Sequence, residues 1–219
     1  SARWRFAIQL VIIFLFVFYT STTISSVRIN FIDIFFENYL LSCFFTVICF
    51  MIVTNGTNFI DGLNGLVLSY YFIILLIILS TGLFEFSFLN KFNLIFLITV
   101  FICLIIFNFL NQLYLGDSGS YLIGFFFGYL LLSIYENHQL FSPYFIALLL
   151  WYPAFEILFS ILRKLKLKKS PLKPDNYHFH QLLYCFIEFK FRFNKNLSNN
   201  ISSLMIIFYN FIIFLIALI

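Results

Sequence analysis

The chain has 219 residues, of which 63% are hydrophobic and 10% charged, with a formal net charge of +4. Soluble domains carry about 25% charge and still leave much of their surface in water, so this composition excludes an ordinary water-soluble fold. It leaves lipid as the cover, and no nucleic-acid partner is implied.

A helix needs about 20 apolar residues to cross the hydrocarbon core. Seven runs near that length follow in order, at 6–20, 39–54, 64–82, 92–110, 120–135, 143–162 and 201–219. The expected fold class is all-α, a polytopic transmembrane helix bundle forming one domain over 1–219. The four cysteines, Cys43, Cys49, Cys103 and Cys185, show no CxxC spacing and are read as free thiols. The start, Ser1-Ala2-Arg3-Trp4-Arg5, is no signal peptide, because a full-length apolar run follows it without a cleavage site. The chain begins without Met and stops inside an apolar run at Ile219, so a fragment of a longer protein is expected.

Lys and Arg placement sets the orientation. The basic loop, taken as 163–200, carries nine of the thirteen between Arg163 and Lys195 and is expected to be cytoplasmic. Counting spans backwards puts 55–63, 111–119, Arg3 and Arg5 on the same side. The other loops hold only Arg28 and Lys91. Attraction to anionic lipid is an equally good reading of the run 163–169.

Three polar, glycine-bearing stretches fall on the cytoplasmic side. In Asn55-Gly56-Thr57-Asn58-Phe59-Ile60-Asp61-Gly62-Leu63-Asn64-Gly65-Leu66, the spacing of Asn58, Asp61 and Asn64 predicts one oxygen-rich helix face, suited to a hard cation or a nucleotide. A helix-start cap needs only one such residue, not four in ten. In Tyr114-Leu115-Gly116-Asp117-Ser118-Gly119-Ser120, Asp117 stands where a helix begins and reads either as a cap or as a residue at an anion or metal-bound phosphate. Ser120, Gly124 and Gly128 then repeat every fourth residue, a stripe for tight helix packing within or between chains. In Pro174-Asp175-Asn176-Tyr177-His178-Phe179-His180-Gln181, two histidines at i and i+2 share one side of an extended segment. Beside Lys173 they are suited to a diphosphate; a transition metal lacks a third ligand at metal spacing. His138, in an outside loop, is read as solvated. Glu156 is the one acid inside an expected span, and Arg163 shares its face, so an ion pair, there or with another helix, stands beside a catalytic role.

Together these stretches resemble the polyprenyl-phosphate N-acetylhexosamine-1-phosphate transferases, the superfamily that includes MraY, WecA and TagO. The family patterns N-x-x-N-x-x-D-G-x-D/N-G-L, G-D-x-G-S-x-x-x-G and P-D-x-x-H-x-H-H/Q-L resemble 55–66, 116–124 and 174–182, in family order. The resemblance implies transfer of a sugar 1-phosphate from a UDP-N-acetylhexosamine to polyprenyl (undecaprenyl) phosphate, with release of UMP, at the bacterial inner membrane. It implies Mg²⁺, or Mn²⁺ in its place, on Asp117 with Asn58 as second ligand. Asp61 would lie beside metal and nucleotide, Asn64 at the uridine, and His178 and His180 at the diphosphate or sugar. Asn55, Gly116 and Asp175 complete the implied substrate site.

Tyr152-Pro153-Ala154-Phe155-Glu156 and Gln181 look closer to the WbpL-type, O-antigen-initiating subgroup, whose members often take a modified N-acetylhexosamine. Many bacterial members have Asp at the position of Asn64 and a third His at that of Gln181. The family's Asp-Asp pair is also missing, so the resemblance implies an incomplete chain, inactive alone. Two other classes compete: a cation-coupled transporter, which needs mid-membrane polar breaks and repeated halves, and an inactive truncated pseudo-enzyme or scaffold. A homodimer stays open at this stage.

Overall fold

The structure is a computed structural model and describes residues 2–138, 142–168 and 177–218. All its regular structure is helical: α1 (Ala2–Thr20), α2 (Asn30–Phe36), α3 (Tyr39–Ile60), α4 (Leu66–Ser80), α5 (Lys91–Phe109), α6 (Gly116–Asn137), α7 (Pro143–Leu149), α8 (Trp151–Lys166), α9 (Phe179–Phe191) and α10 (Lys195–Leu218). A 3₁₀ turn spans Leu83–Phe86. Every expected apolar run is helical. Among the described residues, α3, α5, α6 and α10 are each long and apolar enough to cross a membrane, and α7 with α8 gives a fifth candidate as one bent pair.

The expected span at 143–162 is broken near its middle. α7 and α8 meet at a bend of 74° beside Leu150. Pro153 is the cause, since it lacks the N–H that would bond Leu149 and its ring crowds that carbonyl. The Leu149 carbonyl instead accepts from the Tyr70 hydroxyl at 2.7 Å. Pro153 is tolerated because it falls in the first turn of α8, where amides have no helical partner.

α3 is the central post, packed on α6, α8 and α1. Gly124 of α6 lies against Thr54 and Thr57, and Gly128 against Phe50. The small-residue stripe is therefore filled within the chain. α4 is only 15 residues, about 23 Å at helical rise. It is buried nearly all round, from Leu66 to Ile78, as a helix apolar on every side must be. α5 instead turns Phe92, Ile95, Phe96, Ile102 and Ile106 outward, the face expected against acyl chains.

The loops away from the motifs gather at the opposite end. The Thr23 amide donates to Glu136 Oε1 at 2.8 Å, and the Asn137 amide to the Phe86 carbonyl at 3.0 Å. His138 is not merely solvated: its ring meets Phe86 edge-on at 4.2 Å. All four cysteines are free thiols, as expected.

Candidate active site

α3 runs on to Ile60, past the expected end of its span, and stops at Asp61, whose ψ of 59° leaves the helix. Gly65 then takes φ +72°, a left-handed turn that starts α4. This break corrects the expected single face of Asn58, Asp61 and Asn64: only Asn58 is helical, and Asn58 and Asn64 bond different partners. Asn55 turns back on its own helix, its amide donating to the Met51 carbonyl at 2.9 Å.

Asn58 reaches α6. Its amide nitrogen donates to Asp117 Oδ1 and to Ser120 Oγ, both at 3.0 Å, and its oxygen accepts from the Tyr121 hydroxyl at 3.2 Å. The other Asp117 oxygen pairs with the Arg5 guanidinium, which also lies 5.4 Å from the Tyr121 ring centroid. Gly116, at φ +65°, turns the chain into α6 and places Asp117 in the first turn, where the helix dipole favours negative charge. Asp117 stays well exposed. Asp61 is more enclosed. Burial, and secondly the charge of Asp117, push its carboxyl up to about 6.

The histidines meet the same turn from the start of α9, held by Glu156 of α8. Glu156, 3% exposed, clamps the segment before α9: its Oε2 lies 3.0 Å from His178 Nδ1, and its Oε1 accepts from the Phe179 amide at 3.0 Å. The partner of Glu156 is thus His178, whereas Arg163 donates to the Tyr177 carbonyl at 2.8 Å. The two histidine rings stack at 5.7 Å with 13° between planes, and Phe59 meets His178 edge-on at 5.1 Å. His178 is extended, as expected, but His180 already belongs to α9.

His180 is fully buried, and neither ring nitrogen has a hydrogen-bond partner among the described residues. Its Nε2 faces Gly62 so closely that a Cβ there would fall 2.5 Å away. Burial holds its pKa down at about 4, against the opposing pull of Glu156 and with a smaller push from His178. It is neutral near pH 7. Asp175 lies outside the described residues.

Asn64 sits in a buried amide cluster. Its backbone N–H donates to Asn199 Oδ1 at 2.7 Å, and its side chain to Asn111 Oδ1 at 2.7 Å and Asn200 Oδ1 at 3.1 Å. The Gly65 amide bonds Asn108 Oδ1, and Asn108 donates to the Leu113 carbonyl at 2.6 Å. The turn is thereby tied to the end of α5 and the start of α10. Sequence reasoning misses Arg5 and Tyr121, leaves Glu156 open, and reads Ser120 as packing only. The basic loop is also partly helical, as α9.

The site therefore belongs to a helical membrane protein whose three polar stretches converge on the end of one helix. Residues 1–135 match the profile of Glycosyl transferase family 4, and the chain belongs to that family. It is 30% identical, over 97% of its length, to a probable undecaprenyl-phosphate N-acetylglucosaminyl 1-phosphate transferase of Bacillus subtilis. It is 30% identical, over 63% of its length, to an undecaprenyl-phosphate alpha-N-acetylglucosaminyl 1-phosphate transferase of Thermotoga maritima. The matches span 57% and 42% of those relatives. No solved structure matches the chain.

Proposed function

We propose that this chain carries the catalytic face of an enzyme that transfers an N-acetylhexosamine 1-phosphate from a UDP-sugar to undecaprenyl phosphate. In this reading the face is cytoplasmic, in the bacterial inner membrane, and the product begins an envelope polysaccharide such as O-antigen. The observation that carries the reading is the convergence on residues 58–62: Asn58 bonds Asp117, while Gly62 receives His180. The names of the two relatives support the same chemistry.

In the reaction, an oxygen of the lipid phosphate attacks the sugar-bearing phosphorus of the donor. The bond from that phosphorus to the bridging oxygen breaks, and UMP leaves with the electron pair. The donor set is all oxygen, from Asp117, Asp61, Asn58 and Ser120, which fits Mg²⁺ or Mn²⁺ better than a softer metal. Burial, with the charge of Asp117 second, raises the cost of ionising Asp61, and a cation beside it would offset that cost. Asp117 and Asn58, with Asp61 beside them, would hold the ion. Bound there, it would neutralise diphosphate charge and stabilise the leaving group.

The remaining groups orient the donor. Arg5 sets a permanent cation beside Asp117, available to a phosphate. Glu156 fixes the ring of His178 through Nδ1. His180, neutral and fully buried, packs on Gly62 and shapes the turn that would face the donor. Asn64 supports the turn through its amide cluster, and a contact with the uridine would add to that role.

The test is the identity of the nucleotide released by the complete gene product from UDP-N-acetylglucosamine and undecaprenyl phosphate. UMP supports phosphosugar transfer; UDP would mean simple glycosyl transfer and overturn the reading. A panel of UDP-N-acetylhexosamines then assigns the sugar.

A further inference from the structure

We propose that α9 is an interfacial helix that seats its outer face on an anionic lipid leaflet. Phe179, Leu182, Phe186 and Phe189 are spaced three, four and three apart, which puts them on one stripe. They are 50%, 50%, 53% and 89% exposed. The opposite face is occupied: His180 and Ile187 are buried, and Leu183 and Tyr184 pack on the main core.

Charge and connectivity select the occupant. Lys190, Arg192 and Lys195 follow the stripe, against the single acid Glu188. Lys190 Nζ lies 5.1 Å from the Phe186 ring centroid, so cation and aromatic face sit together. An apolar stripe flanked by cations is the pattern of a helix lying at the headgroup boundary of an anionic membrane. Three residues, 192–194, separate α9 from the membrane-crossing candidate α10. That link reaches at most about 10 Å, so α9 is held close to the start of α10. A protein partner would also cover an aromatic stripe, but neither the cations nor this tether calls for one.

The seating does not depend on the transferase reading, though it would bear on it, because α9 carries His180 onto Gly62. The test uses the full-length protein with its cysteines replaced by alanine and a nitroxide at Phe189→Cys. Phe189 is so exposed that this change leaves the fold undisturbed. A label at Asn194→Cys, in the exposed link, is the reference.

In phosphatidylcholine nanodiscs containing phosphatidylglycerol, the 189 probe is expected to be open to oxygen and several-fold less open than 194 to a water-soluble nickel chelate. Each cation favours the seated state by roughly fivefold on an anionic surface. Shielding should therefore weaken in phosphatidylcholine alone and after Lys190→Gln, Arg192→Gln and Lys195→Gln together. Equal nickel access at 189 and 194 would overturn the proposal. So would shielding from both oxygen and nickel, the mark of a protein contact, or shielding indifferent to lipid charge. None of these outcomes depends on transfer activity.

Discussion

Replacing Glu156 with alanine should undock the histidine segment. The carboxylate is 3% exposed and makes two contacts of 3.0 Å, to His178 Nδ1 and to the Phe179 amide. Its removal leaves two polar groups unpaired in a buried place, at about 1–3 kcal/mol each. The two together come to about 2–6 kcal/mol. The penalty falls on the docking of 177–180 against α8, not on the α3–α6 core. Hydrogen exchange at Phe179 should therefore accelerate by at least roughly a hundredfold, the equivalent of about 3 kcal/mol, while exchange in α3 stays slow. Glu156→Gln keeps an acceptor for Phe179 but faces His178 with a neutral amide. It should give a smaller acceleration and force the imidazole to exchange donor for acceptor, visible in its ring-nitrogen shifts. Unchanged protection at Phe179 in Glu156→Ala would refute the clamp.

Other consequences are as direct. Asp117→Asn should abolish transfer yet leave expression and membrane insertion intact; an active mutant would remove Asp117 from the metal assignment. Because burial raises Asp61 to about 6, its folded form prefers the proton. Its contribution to stability falls as pH rises from about 4 through about 6, while the carboxylate needed by a cation appears over the same interval. Transfer should rise through about pH 6, with a lower midpoint at higher Mg²⁺, and Asp61→Asn should erase that response. His180 works with the opposite sign: its pKa is held down at about 4, so stability is intact above 6.5 and is lost as pH falls through 4. A His180→Gln variant should lose that acid-side slope in thermal unfolding. Gly124→Leu should push α6 off Thr54 and Thr57 and lower stability by about 1–3 kcal/mol, read from thermal unfolding in detergent.

Much of the plan was legible because apolar length is a local signal. Seven apolar runs became helices, and the chemistry-bearing stretches of 55–66, 116–124 and 177–180 lie at one end of the bundle. What stayed hidden was set by distant partners. The Pro153 bend is visible as a proline, but only Tyr70, some eighty residues away, completes it. The face shared by Asn58, Asp61 and Asn64 failed because the helix stops at Ile60, and a Gly-Leu-Asn-Gly turn overrides helical spacing. Arg5 carries no motif, and its pairing with Asp117 spans 112 positions. α9 escaped because its aromatic and basic residues read as loop composition rather than as a two-sided helix.

The most direct test is the fate of a radiolabelled phosphate placed next to the sugar in UDP-N-acetylglucosamine or a close analogue. Membranes carrying the complete gene product, undecaprenyl phosphate and Mg²⁺ are incubated beside an Asp117→Asn control. The account predicts that label passes into the lipid fraction with Mg²⁺, and in neither the Mg²⁺-free sample nor the control. Lipid that gains sugar without the labelled phosphate, or gains label equally in the Asp117→Asn control, would contradict it.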